Sequence, residues 1–181
     1  LDGDGVSEIV IGWQMGASLL HMTIYSIRDN QHILLASADY SELTLNDLDN
    51  DGKTDVVALR LPSSGLPGEA EIFSLKPDGE VVGSKARLSK GIESITRVFK
   101  GALSDGKPAI FVEGGYGGSS VITDIISWKN NSIFNVLANA SSGFSEKTLR
   151  SYAVYSSDIN KNGVMDVPSP RLLKSASDVQ Y

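Results

Sequence analysis

Apolar residues in this chain come in short runs divided by polar, glycine-rich breaks. Asp55-Val56-Val57-Ala58-Leu59-Arg60 and Glu8-Ile9-Val10-Ile11-Gly12-Trp13 are β-branched and apolar, the mark of short buried strands. Parts of Ser120-Val121-Ile122-Thr123-Asp124-Ile125-Ile126-Ser127-Trp128 alternate, and Lys129-Asn130-Asn131 then makes a hairpin turn. The same pattern predicts strands over 69–76, 81–88, 94–101, 109–114, 132–138 and 148–156. Turns fall at Ser63-Ser64-Gly65 and Pro77-Asp78-Gly79. Helical periodicity is nowhere sustained, so an all-β fold is expected.

The breaks before two of these strands carry chemistry. Asp47-Leu48-Asp49-Asn50-Asp51-Gly52-Lys53-Thr54-Asp55 places acids at loop positions one, three, five and nine, with glycine at six. Asp158-Ile159-Asn160-Lys161-Asn162-Gly163-Val164-Met165-Asp166 repeats the pattern with amides at three and five. Leu1-Asp2-Gly3-Asp4-Gly5-Val6-Ser7-Glu8 is the same loop entered at its second position, which suggests that upstream sequence has been cut away. Calcium takes six to eight oxygens at roughly 2.3–2.6 Å from carboxylates, carbonyls and water. In a tightly curled loop Asp47, Asp49 and Asp51 converge, and Lys53 offers its backbone carbonyl. Asp55 and Asp166 are the expected closing ligands, because position twelve is Ala58 or Ser169 and neither can chelate. Apolar strands follow the loops at 47–55 and 1–8, so the loop sits in a β-hairpin and not between helices.

Aligned glycines Gly5, Gly52, Gly106 and Gly163 lie 47, 54 and 57 residues apart. The third copy, around Asp105-Gly106-Lys107-Pro108, keeps the turn but one acid, and no calcium is expected there. Four strands per unit at this period is the signature of a β-propeller.

The net charge of −6 has a local origin, since nine of the 22 acids lie in the three acidic loops. Three calcium ions would cancel it. No Lys/Arg stripe interleaved with aromatics points to nucleic acid. No apolar run of about 18 residues spans a membrane. The chain has no cysteine, hence no disulfide or thiolate metal site.

The Asp-x-Asp-x-Asp-Gly-x-x-Asp loop of 47–55 with Val56-Val57 after it, at this period, resembles the FG-GAP/VCBS repeat family of β-propellers. That family includes the propeller heads of integrin α chains and many bacterial secreted or surface proteins. The resemblance covers nearly the whole chain and is strongest in the second repeat. It implies a propeller segment over 1–181 with approximate repeats 1–40, 41–93, 94–146 and 147–181, two blades complete and two partial. The remaining blades would come from upstream sequence or another chain. It also implies calcium on one rim, held by Asp47, Asp49, Asp51, Lys53 and Asp55. The corresponding ligands in the flanking loops are Asp2, Asp4, Val6 and Glu8, then Asp158, Asn160, Asn162, Val164 and Asp166. The expected role is non-catalytic, recognition of a protein or glycan outside a bacterial cell, either secreted or held at the surface, as by a lipid anchor.

Other chemistry carries less. His21 and His32 lie in or beside strands and read as structural. Glu113-Gly114-Gly115-Tyr116-Gly117-Gly118 opens no helix, so it is a wide turn, with Tyr116 at its tip, and not a phosphate cradle. Trp13, if exposed, could stack on a sugar. Dockerin loops have related spacing but lead into helices, which Pro168 and Pro170 forbid here. A propeller-based polysaccharide lyase or hydrolase is the alternative, and Glu42, Glu69, Glu71 and Glu113 are the acids open to it.

Overall fold

The apolar runs fold as strands that pair with their neighbours in sequence, giving three antiparallel meanders. In the first sheet β1 (Glu8–Met15), β2 (Leu19–Arg28) and β3 (Gln31–Tyr40) lie in order. The second holds β4 (Glu42–Asn46), β5 (Asp55–Arg60), β6 (Glu69–Leu75) and β7 (Val81–Arg87). The third holds β8 (Ser94–Ala102), β9 (Pro108–Tyr116), β10 (Ser120–Lys129) and β11 (Ser132–Asn135). This computed structural model describes residues 1–16, 19–63, 65–76, 78–138 and 148–170. The predicted turns at Ser64 and Pro77, the side chain of Tyr116 and the end of the last repeat lie outside the described residues. The fold is all-β, with no helix among the described residues, and hence none long and apolar enough to cross a membrane.

Hairpin chemistry follows the residues. Asp29 and Asn30 have φ of 51° and 60°, and Asn130 and Asn131 have 54° and 59°. Positive φ at both central positions makes the two-residue turn whose twist matches the strands it joins.

Strand alternation then sets how the sheets stack. In β5, Val56 and Ala58 join Met22 and Ile24 of the first sheet in one core, while Val57 and Leu59 join Ile110, Val112 and Ile122 of the third in another. In β9, Ile110 and Val112 face the second sheet; Ala109 and Phe111 face away, toward Met165 and Val167. Each sheet is therefore apolar on both faces and packs on the one before it with the same alternate residues. By that alternation Ile9 and Ile11 of β1 hold the places of Val56 and Ala58, and no sheet among the described residues covers them. With Trp13, Tyr25, Ile27 and His32 they line a cleft of about 290 Å³.

Two predicted strands end differently. β11 stops at Asn135, and not at residue 138, because the Asn135 Oδ1 accepts the Leu137 N–H (3.2 Å) and turns the chain. Residues 148–156 are not a strand. Arg150 exchanges two backbone hydrogen bonds with Val121 (2.8 and 3.0 Å), but its buried guanidinium gathers the Thr148 and Val154 carbonyls and curls the segment around itself. The glycine-rich stretch is also no wide turn. β9 runs through Gly114 and Gly115 to Tyr116, which pairs with Ser120. Glycine is required there by proximity: a Cβ on Gly114 would lie 2.4 Å from the Ser94 carbonyl oxygen.

Arg150 anchors this last segment through Glu113, which is fully buried where the second sheet has Leu59. Glu113 Oε1 accepts the Ser156 N–H (2.6 Å) and hydrogen bonds from Thr123 Oγ1 and Arg150 Nη2 (both 3.3 Å), and Arg97 Nη1 stands 3.3 Å from Oε2. Removing one partner of a buried ion pair strands the other's charge. Glu113→Ala should therefore lose about 3–5 kcal/mol of stability in urea unfolding. The double variant Glu113→Leu/Arg150→Met should recover most of that, and an equal loss in both would show that the pair does not anchor the segment.

Candidate metal centre

The loop over 47–54 joins β4 to β5, closed by the Asn46–Asp55 pair. Its side chains are organised by its own backbone. Asp47 Oδ1 accepts the Asp51 N–H (3.1 Å), and its Oδ2 accepts the Gly52 N–H (3.0 Å). Asp49 Oδ1 shares the Asp51 N–H (3.1 Å), Asp51 Oδ1 accepts the Lys53 N–H (2.9 Å), and Asp55 Oδ2 accepts the Leu48 N–H (2.9 Å). Such a curl needs left-handed backbone at two points, Asn50 (φ 64°) and Gly52 (φ 86°). Leu48, between the acids, is buried and pins the loop to the core shared by the second and third sheets.

The loop over 158–166 repeats every one of these bonds. Asp158 accepts the N–H groups of Asn162 (3.0 Å) and Gly163 (2.8 Å). Asn160 accepts Asn162 (3.1 Å), Asn162 accepts Val164 (2.8 Å), and Asp166 accepts Ile159 (3.1 Å). Lys161 and Gly163 carry the positive φ, and a Ser157–Asp166 bridge closes the loop. In the first loop Asp2 accepts the Asp4 N–H (3.0 Å) and Asp4 the Val6 N–H (2.7 Å), with Gly3 and Gly5 left-handed. The Asp105 copy is instead a short turn, with a Leu103 N–H to Lys107 carbonyl bond of 2.9 Å and Asp105 paired to its own Lys107.

Three loops share a scaffold but differ in charge. Asp47, Asp49 and Asp55 each bring one oxygen within 4.8 Å of the others, as do Asp2, Asp4 and Glu8. That spacing is about twice a calcium–oxygen distance, so the residues present fit a hard divalent ion. Asp51, expected among the side-chain ligands, is turned to the Lys53 N–H. The loop at 158–166 carries only two carboxylates and lies on the surface. Among the described residues no lysine or arginine pairs with Asp47, Asp49, Asp51 or Asp55. Burial, with the repulsion of Asp49 and Asp51 behind it, holds the Asp55 carboxyl above its ordinary 3.8, and burial raises Asp49 likewise. These are anionic sites short of positive charge.

A second strand completes the loops at 1–8 and 47–55, and sequence reasoning overlooked it. Ser74 on β6 donates to Asp55 Oδ1 at 2.5 Å, and Ser26 on β2 stands opposite Glu8. Two residues on from each serine comes a base: Ser26-Ile27-Arg28, Ser74-Leu75-Lys76 and Ser127-Trp128-Lys129. That recurrence was readable, but its meaning depends on strand register. Arg28 Nη2 reaches Asp2 Oδ2 (3.1 Å) and Asp4 Oδ2 (2.8 Å), whereas Lys76 pairs with Glu80 at 2.9 Å. Beside the second loop lies a cleft of about 230 Å³ whose walls include Asp49, Asp51, Lys53, Trp128 and Asn131.

The acids considered for catalysis do not converge. Glu69 pairs with Arg60 and Glu71 with Lys85, while Glu113 is held by Arg150. His21 Nδ1 lies 2.8 Å from Asp39 on the surface, and Trp13 Nε1 donates to Thr23 Oγ1 at 3.1 Å with its ring half exposed.

The raised carboxyls fix a sign for pH. A folded state that holds protons on Asp49 and Asp55 above 3.8 binds more protons than the unfolded chain, so metal-free stability falls as pH rises through the raised values. In chelator, Asp49→Asn should gain stability relative to the parent on going from acid to neutral pH, read by urea unfolding; a constant difference would contradict it. No protein-family model matches this chain, and no curated protein matches it.

Proposed function

We propose that this chain is a calcium-stabilised segment of a β-propeller that serves as a non-catalytic binding or structural module. The observation that carries the proposal is the bond-for-bond identity of the loops at 47–55 and 158–166 despite their different side chains. A five-bond scheme that recurs over such a separation favours a built site over a chance turn. The stacking sense supports the propeller: each sheet receives its predecessor on the same alternate residues. The open apolar face of β1 and the exposed Ile159, which stands where Leu48 is buried, are the surfaces that further blades would cover.

Calcium would be held by Asp47, Asp49 and Asp55, with Asp51 and the Lys53 carbonyl completing the shell. Its two charges would offset the burial, and the lesser repulsion among the acids, that raise Asp49 and Asp55. Loops this open suit the millimolar calcium found outside cells, where such modules bind at about 10⁻⁴–10⁻³ M. A protein or glycan partner would meet the rim beside Trp128 and Asn131.

The test is thermal unfolding and calorimetry with calcium. At a hundredfold excess over Kd a single site should add about 2.7 kcal/mol. Asp49→Ala/Asp51→Ala should abolish the tightest binding while leaving the fold intact in chelator. Absence of both heat and thermal shift in the parent would overturn the proposal.

A further inference from the structure

The first and second loops share a backbone scheme but not a cation supply, and the difference lies in one residue. Arg28 ends β2 two residues after Ser26, at the place Lys76 holds on β6. Lys76 turns away to Glu80 (2.9 Å), whereas Arg28 lays Nη2 between Asp2 Oδ2 at 3.1 Å and Asp4 Oδ2 at 2.8 Å. Asp2 is buried, and its carboxyl is held below the usual range by the Asp4 N–H first and by Arg28 among the lesser causes.

We propose that Arg28 is the internal counter-ion of the first loop, a guanidinium that a divalent cation must displace to reach Asp2 and Asp4. The inference rests on the calcium proposal above and concerns which loops fill first. A second, independent observation points to a ligand at this loop. The Glu8 side chain is fully buried, and its Oε1 has no hydrogen-bond partner. Glu8 also brings an oxygen within 4.8 Å of Asp2 and Asp4. A planar guanidinium placed on two aspartates leaves that buried oxygen unsatisfied. A spherical ion of higher charge takes oxygens from every direction, so it would claim Glu8 as well.

Two consequences follow. The first loop keeps its curl without calcium, because Arg28 already neutralises part of it, whereas the second loop among the described residues has no such cation. Calcium therefore fills the second loop first and enters the first only at higher concentration. The loops are neighbours on one rim: a methyl group on Gly3 would touch the Lys53 side chain at 3.5 Å. Filling the first loop releases Arg28 beside an occupied site, which changes the sign of the local surface in steps as calcium rises.

Arg28→Gln in the full chain tests this, with Arg28→Lys as the conservative partner. Calorimetry of the parent should resolve a tight class of calcium sites and a weaker one. Arg28→Gln should tighten a weak class roughly tenfold, the scale of a lost charged hydrogen bond, and leave the tight class unchanged. In chelator the glutamine variant should melt below the parent and recover with calcium. Folding of that variant in calcium alone supports the proposal equally. Arg28→Lys, which keeps the charge without the fork, should fall between them. Unchanged or weakened calcium binding in both variants, with the tight class intact, overturns the role of Arg28 alone. Loss of all calcium binding in the parent itself overturns the calcium proposal instead.

Discussion

Several carboxylates confined to one hairpin tip repel one another, and everything at this rim is arranged around that repulsion. Backbone N–H groups deal with half of it. In each full loop four amide donors point inward and make five bonds to the side-chain oxygens, one N–H being shared, which fixes the side chains and lowers the energy of the charged acids. Amides cannot supply net charge, and so the residue left over is electrostatic. The first loop meets it with Arg28. In the second, burial of Asp55 and proximity of Asp49 leave two carboxyls raised, and Ser74 adds a hydroxyl but no charge. The 158–166 loop removes the problem at its source by replacing two acids with asparagine. On the calcium proposal, three solutions on one scaffold would give three affinities for a cation.

The scaffold itself depends on sheets that are apolar on both faces. A strand with Val56, Val57, Ala58 and Leu59 in succession cannot lie on a surface; it must be sandwiched. Leu48 extends the core up into the loop, so the acidic tip is tied to the packing beneath it. The third sheet breaks this rule at Glu113, where a carboxylate takes the place of Leu59. It holds a segment that is not a strand, and hydrogen bonds from Ser156, Thr123 and Arg150 replace the apolar contact that a paired strand would provide. A buried ionic anchor of this kind costs desolvation, and it fixes geometry where regular pairing has ended.

What could be read from sequence follows from the range of the interactions. The β5 and β10 boundaries and the acidic loop before β5 depend on neighbours within a few residues, and the structure has strands and a hairpin tip at those places. The bounds of β11 and the fate of 148–156 do not. They turn on the Asn135 side chain caught by its own backbone and on Arg150 meeting Glu113, 37 residues away. The same limit hid Arg28 and Ser74. Ser-x-Arg and Ser-x-Lys look like ordinary strand ends until the register sets Ser26 against Glu8, and only then does the base two residues on fall beside the loop.

Register also explains what gathers at the rim. A meander returns to the same edge at every second turn, so the acidic tips, the exit of β10 and its Asn130-Asn131 turn gather there while the cores fill the spaces between sheets. Trp128 contributes its ring to the core below and to the cleft wall above. A ligand entering that cleft would meet an aromatic wall and the amide of Asn131 on one side, and Asp49 and Asp51 on the other. Without a cation those acids repel an anionic ligand; with one, as the calcium proposal has it, they would present a Lewis-acidic floor. On the calcium proposal, then, the ion that stiffens the hairpin also sets the polarity of the cleft beside it, and stability and recognition are joined through the same two carboxylates.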